Sequence, residues 1–169
     1  MRIRINKIQE MKDSGERIPC LTAYDSPTAM LAESSGVPLI LVGDSVGNVV
    51  LGYESTIPVT LEDIIHHTRS VIRGSSKALV VSDMPFLTYQ AGVDDAVRNA
   101  GRLIQEGGAQ AVKLEGGLPV IPIVERIVDV GIPVMGHLGL TPQSVNQLGG
   151  YRVQGRTLKE AAELVANAR

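Results

Sequence analysis

Tyr24-Asp25, Asp44-Ser45, Asp83, Lys113 with Glu115, and His137 each close a short apolar run, and together they offer carboxylates, hydroxyls, an ammonium and an imidazole. Two carboxylates, Asp44 and Asp83, with Glu115 as a third nearby, suit a hard, oxygen-seeking cation such as Mg2+, which keeps open positions for water and a ligand. Lys113 beside them would offset the charge of a carboxylate or enolate. Lys113 and Glu115 stand two residues apart, so on an extended strand both project from one side. Plainer uses exist for each group. An Asp or Ser at a strand end often caps the next helix, Lys113 and Glu115 can form a buried ion pair, and His137 can be a hydrogen-bonded core histidine. His66 and His67 are neighbours on one helix and point apart, which does not make a metal pair. Cys20, inside an apolar run, reads as a small core residue. What favours chemistry is recurrence: a polar or titratable group ends five consecutive apolar runs.

The elements that must hold these groups follow from a repeated unit of helix, glycine, short loop and buried strand. Gly36, Gly74, Gly108 and Gly131 each precede an apolar run, and residues 18–23 supply a first strand. Ser26-Pro27 reads as a helix start with a hydroxyl cap. Thr60 with Asp63, and Thr157 with Glu160, read as capping boxes that open further helices. Apolar periodicity extends the helices between them over 93–105 and 120–130. Five strands alternating with helices imply a parallel sheet covered by helices. No Gly-x-Gly-x-x-Gly follows any strand, which speaks against a dinucleotide-binding sheet. The fold class expected is therefore α/β, a (β/α) barrel forming one domain over 1–169, with chemistry at the C-terminal ends of its strands. Residues 43–58 make a long βα loop, the kind that is usually functional or mobile.

Composition narrows the partners. The formal net charge is −2 with both signs interspersed, which leaves no footprint for nucleic acid. One cysteine excludes an intrachain disulfide, and nothing marks an oxidising compartment. No signal-peptide core or membrane-length run appears, so a cytoplasmic enzyme without membrane contact is expected.

Longer words in the sequence then carry a resemblance. Residues 21–25 (LTAYD), 42–47 (VGDSVG) running into 50–53 (VLGY), 55–63 (STIPVTLED), 82–86 (SDMPF), 112–117 (VKLEGG) and 133–156 (PVMGHLGLTPQSVNQLGGYRVQGR) resemble the ketopantoate hydroxymethyltransferase family, in its order and through nearly the whole chain. The resemblance implies a (β/α)8 barrel related to the phosphoenolpyruvate mutase and isocitrate lyase group, assembled as a homo-oligomer. It implies Mg2+ held directly by Asp44 and Asp83 and through water by Glu115. Ser45 and Lys113 would contact the carboxylate and keto oxygens of the 2-keto acid 3-methyl-2-oxobutanoate, with His137 at the pocket edge. 5,10-Methylenetetrahydrofolate would be the co-substrate and 2-dehydropantoate the product. The family's chains continue past the position of Arg169 to complete eight strands. Their general base, a glutamate, lies on the next strand, so about five βα units of a C-terminally truncated barrel are expected here.

Two other readings stay open on the residues alone. One is a Mg2+-dependent C–C or P–C lyase of the same barrel group, although no strand-end loop carries the cysteine of the isocitrate-lyase type. The other is an inactive barrel fragment that only binds ligand or serves assembly.

Overall fold

Short apolar runs that alternate with helices can satisfy their backbone only by pairing with one another, and a helix between each pair forces the pairing to be parallel. The computed structural model, which describes residues 1–169, has this arrangement. Its strands are β1 (Cys20–Thr22), β2 (Leu39–Val42), β3 (Leu79–Asp83), β4 (Ala111–Glu115) and β5 (Val134–His137), all parallel and ordered as in the chain. An order that never doubles back is that of a barrel wall, whereas a doubly wound sheet reverses at a switch point.

The helices are α1 (Ile5–Asp13), α2 (Ser26–Ser34), α3 (Val46–Val49), α4 (Leu61–Gly74), α5 (Val93–Arg102), α6 (Ile121–Asp129), α7 (Val145–Leu148) and α8 (Leu158–Ala168). None is long and apolar enough to cross a membrane. Strand residues divide by parity between two apolar layers. Ile40, Val42, Val80, Val112 and Leu114 face the helices and join the main core. Leu39, Leu79, Val81 and Ala111 form a second cluster on the opposite, inner face, where Leu41 and Met135 also pack. Ile3 and Ile8 cover that cluster at the N-terminal ends of the strands. Charged residues, an Arg4 cap without a side-chain bond and one buried position, Met11, hide α1 from a reading of periodicity. The helix is held by docking rather than by propensity.

Both capping boxes form as read. Thr60 accepts from Asp63 N–H while the Asp63 carboxylate accepts from Thr60 N–H, and Thr157 and Glu160 do the same for α8. At α2 the cap is the Asp25 carboxylate, which accepts Thr28 N–H at 2.7 Å, and Ser26 is already helical. A carboxylate also complements the positive end of the helix dipole. Residues 93–105 are not one regular helix, because Leu103–Gly107 widens into a π turn. There Gly107 passes α4 so closely that a Cβ would lie 3.1 Å from the Thr68 methyl. Gly108 then takes the left-handed φ of 84° expected of a helix-ending glycine. Gly74 does not act as a left-handed cap. It is the contact between α4 and the start of α2, where a Cβ would lie 2.6 Å from Ser26 Cα.

The loop between α4 and β3 is clamped from two sides. Glu33 of α2 accepts the N–H groups of Ser76, Lys77 and Ala78. The Arg2 guanidinium donates to Ser75 O and Ala78 O at 2.6 and 2.8 Å. The first strand is shorter than 18–23, and its three residues are exposed. Cys20 is therefore not a core residue: an edge strand has only one neighbour to bury it.

Candidate active site

The inner-face parity continues to the C-terminal ends of the strands, where polar residues replace apolar ones. Asp83 and Lys113 are register partners across β3 and β4, and Glu115 and His137 across β4 and β5. Side chains that share a face and a register must meet, and these do. Lys113 Nζ lies 2.7 Å from Asp83 Oδ1, and His137 Nδ1 lies 3.0 Å from Glu115 Oε1. Lys113 and Glu115 thus project to one side as their spacing requires, but they pair with different neighbours rather than with each other.

Asp44 follows β2 and enters from the side. Its backbone N–H donates to Asp83 Oδ2 at 2.8 Å, so the two aspartates do converge. A close approach at Gly43 permits this, since a Cβ there would lie 2.7 Å from Ser45 Oγ. Asp44 caps no helix: its Oδ2 accepts Gln143 Nε2 at 2.8 Å, and Ser45 is the residue at the N-cap of α3. Ser45 Oγ shares a 2.8 Å hydrogen bond with Tyr24 OH, whose carbonyl meets His67 Nδ1 at 2.8 Å. His67 is thereby a structural contact, and His66 is exposed.

Asp44, Asp83, Lys113 and Glu115 are all at least nine-tenths buried, and His137 and Ser45 are half-open. Burial pushes the Asp44 carboxyl up, against the Gln143 hydrogen bond and the Lys113 charge. Burial pushes Asp83 up to about 7, again against Lys113. Removing two neighbouring carboxylates from water is costly unless a cation compensates, and one ammonium does so only in part. Although Lys113 is close, its approach lies off the hydrogen-bonding direction, and Asp83 Oδ1 is left without an aligned partner.

These features fit a hard cation at the two aspartates. Each has one oxygen anchored, by Gln143 or by Asp44 N–H; the other oxygen of Asp44 accepts no hydrogen bond, and that of Asp83 is met only by the misaligned Lys113 ammonium. Glu115 is turned away, its oxygens taken by His137 Nδ1 and by Gln143 N–H at 3.1 Å. No three carboxylate, imidazole or thiol groups close on a single point, so Glu115 is not placed to join the aspartates directly.

Two residues of this network escaped the sequence reading. Tyr89 is fully buried, and its hydroxyl accepts Glu115 N–H at 3.0 Å. Gln143, in the short 3-10 turn Pro142–Ser144 after β5, touches Asp44, Met84 O, Tyr89 and Glu115. The surviving local clue is a polar residue inside the 133–156 word, which by itself assigns no partner.

Residues 2–169 match the ketopantoate hydroxymethyltransferase family. A relative from Dehalococcoides mccartyi, named 3-methyl-2-oxobutanoate hydroxymethyltransferase, is 60% identical over 169 residues, which is 100% of this chain and 61% of that protein. A Chloroflexus aurantiacus protein of the same name is 61% identical over 168 residues, 99% of this chain and 59% of its own length. The chain thus spans about 60% of the length of the curated relatives it matches. Among solved structures, 2,3-dimethylmalate lyase, described as a PEP mutase/isocitrate lyase superfamily member, aligns with a TM-score of 0.64 at 17% identity, covering 99% of this chain and 59% of the lyase. Phosphonopyruvate hydrolase also aligns at 0.64, with 14% identity, 97% of this chain and 68% of its own. Those similarities establish the barrel wall of five βα units and nothing about chemistry. The family match and the 60% identity carry more: the chain belongs to the ketopantoate hydroxymethyltransferase family.

Proposed function

We propose that this chain forms the cation- and keto-acid-binding part of a 3-methyl-2-oxobutanoate hydroxymethyltransferase. The reaction would pass a hydroxymethyl group from 5,10-methylenetetrahydrofolate to 3-methyl-2-oxobutanoate, giving 2-dehydropantoate for pantothenate synthesis. The observation that carries the reading is identity of 60% sustained over the whole chain to relatives of that name. The setting would be a cytoplasmic homo-oligomer acting on small molecules, with no nucleic acid or membrane partner.

Asp44 and Asp83 would hold Mg2+ through the oxygens that Gln143 and Asp44 N–H leave unanchored, Lys113 giving way at Asp83 Oδ1, with Glu115 reaching the ion through water. The ion would supply Lewis acidity at the keto oxygen of the acid. Everything else falls to the chain's own groups. Lys113, next to Asp83, would meet the acid's carboxylate and the negative charge that gathers on the keto oxygen as the C3 proton leaves. Ser45, oriented by Tyr24, would donate to the carboxylate. His137 is half-open beside Glu115 and would border the pocket where the new carbon arrives. The family resemblance assigns the proton-removing glutamate to the strand that follows, so binding and charge stabilisation are the functions assigned to these residues.

Calorimetry of 3-methyl-2-oxobutanoate binding with Mg2+ and with EDTA tests this directly. Two buried carboxylates repel the acid unless a cation bridges them, so binding should need Mg2+, and Asp83→Ala should remove the metal dependence. Equal affinity with and without EDTA would sink the assignment.

A further inference from the structure

Gln143 uses every hydrogen-bonding position it has. Its Nε2 donates to Asp44 Oδ2 at 2.8 Å and Met84 O at 2.9 Å. Its Oε1 faces Tyr89 OH at 2.8 Å and Gln90 Nε2 at 3.2 Å, and its backbone N–H donates to Glu115 Oε2 at 3.1 Å. A carboxamide offers two donors and two lone pairs, and all four are spoken for. The orientation is also forced. Turning the amide over would set its oxygen against the Asp44 carboxylate and the Met84 carbonyl, and its NH2 against the Gln90 NH2. Tyr89 reinforces the arrangement: its oxygen accepts Glu115 N–H, and its one proton faces Gln143 Oε1 at 2.8 Å, closer than the competing Glu115 carbonyl at 3.1 Å.

Gln143 is 4% exposed and reaches from the turn after β5 to residues at the ends of β2, β3 and β4. We infer that Gln143 is a positioning residue of the cation site: it fixes which oxygen of Asp44 is open, holds Glu115 back from direct coordination, and is itself set by Tyr89. This rests on the proposed cation and keto-acid reading and adds to it a residue outside the candidate ligand set. The mechanism differs from space filling. Gln143→Met and Gln143→Glu both keep the side chain's length and bulk, yet methionine lacks the two donors and glutamate turns an oxygen toward Asp44.

The test is Mn2+ binding to the full chain, followed by calorimetry and by the electron paramagnetic resonance spectrum of the bound ion, with thermal unfolding of each variant as the control. Loss of a group that orients a metal ligand typically weakens metal affinity ~10–100-fold, and both Gln143 variants are expected to fall in that range with a changed spectrum. Tyr89→Phe, which removes one oxygen from the orienting pair and leaves the ring in place, should lose less and shift the spectrum in the same direction. It serves as the readout if the Gln143 variants unfold. Wild-type affinity and spectrum in folded Gln143→Met and Gln143→Glu, or in Tyr89→Phe where neither of those folds, would overturn the inference while leaving the cation reading intact. A wild-type chain that binds no Mn2+ would overturn both, and that result is read from the wild-type arm alone.

Discussion

Glu33→Gln isolates the charge in the clamp that closes the loop between α4 and β3. One glutamine oxygen can still accept the N–H groups of Ser76, Lys77 and Ala78, so geometry is largely kept and the negative charge is lost. Burial pushes the Glu33 carboxyl up, but the N–H groups of Ala78, Lys77 and Ser76 outweigh it and hold the group at about 2. From an ordinary value of 4.5 that is a depression of about 2.5 pH units, or at most ~3.4 kcal/mol at ~1.36 kcal/mol per unit. The side chain is partly open to water, so about half of this, ~1.5–2 kcal/mol, is the expected loss at pH 7. For a domain of this size that is about 3–8 °C in Tm. A depressed carboxyl stabilises fully above its unfolded value and loses the contribution as pH falls through the folded one. The gap between wild type and Glu33→Gln should therefore be constant above about pH 4.5 and shrink steadily toward pH 2. Urea unfolding at pH 7, 4 and 3 measures it. Equal midpoints at pH 7, or a gap undiminished at pH 3, would refute the account of the clamp.

Three further outcomes are expected. Gly74→Ala should destabilise the chain by ~2 kcal/mol or more, because the new methyl meets Ser26 backbone that has little room to move, whereas Gly101→Ala, with open space around it, should not; urea midpoints of the two variants decide this. With Mg2+ and no folate, residues 1–169 should exchange the C3 proton of 3-methyl-2-oxobutanoate into D2O ~10²–10⁴-fold more slowly than a full-length relative, the usual contribution of a general base; full-rate exchange by NMR would place a base inside the chain, with His137 the first candidate. In the polypeptide 1–169 prepared by itself, the edges of β1 and β5, with Leu21 half exposed, should drive self-association, and a monodisperse monomer with one sharp thermal transition on size exclusion and melting would contradict that.

The strand ends were legible because alternation and parallel register are local rules. Once β3, β4 and β5 are in place, the positions of Asp83, Lys113, Glu115 and His137 follow from parity. The two capping boxes were legible for the same reason, since partner and cap lie three residues apart. What sequence could not show depends on distant company. Spacing placed Lys113 and Glu115 together but could not say that each would find its partner on a neighbouring strand. Asp25 replaced Ser26 as a cap because both are good caps and backbone geometry chose between them. The helix α1 has weak intrinsic signals and exists because Ile3 and Ile8 find the inner cluster. Glu33 and Gln143 look like ordinary polar residues until the loops they serve are folded against them.

The separation of 99 positions from Asp44 to Gln143 sets a timetable. On a ribosome adding ~5–20 residues per second, the aspartate emerges ~5–20 s before the amide that fixes its orientation. Over that interval β2 and β3 can pair and bring Asp44 and Asp83 together, with Lys113 following and the carboxamide still unmade. The nascent sheet would then hold crowded, poorly oriented carboxylates, and would gain most from any cation already present. Delivery of Gln143 by the turn after β5 makes the orientation of Asp44 a late event in the synthesis of these residues, dependent on the most distant hydrogen bond in the network.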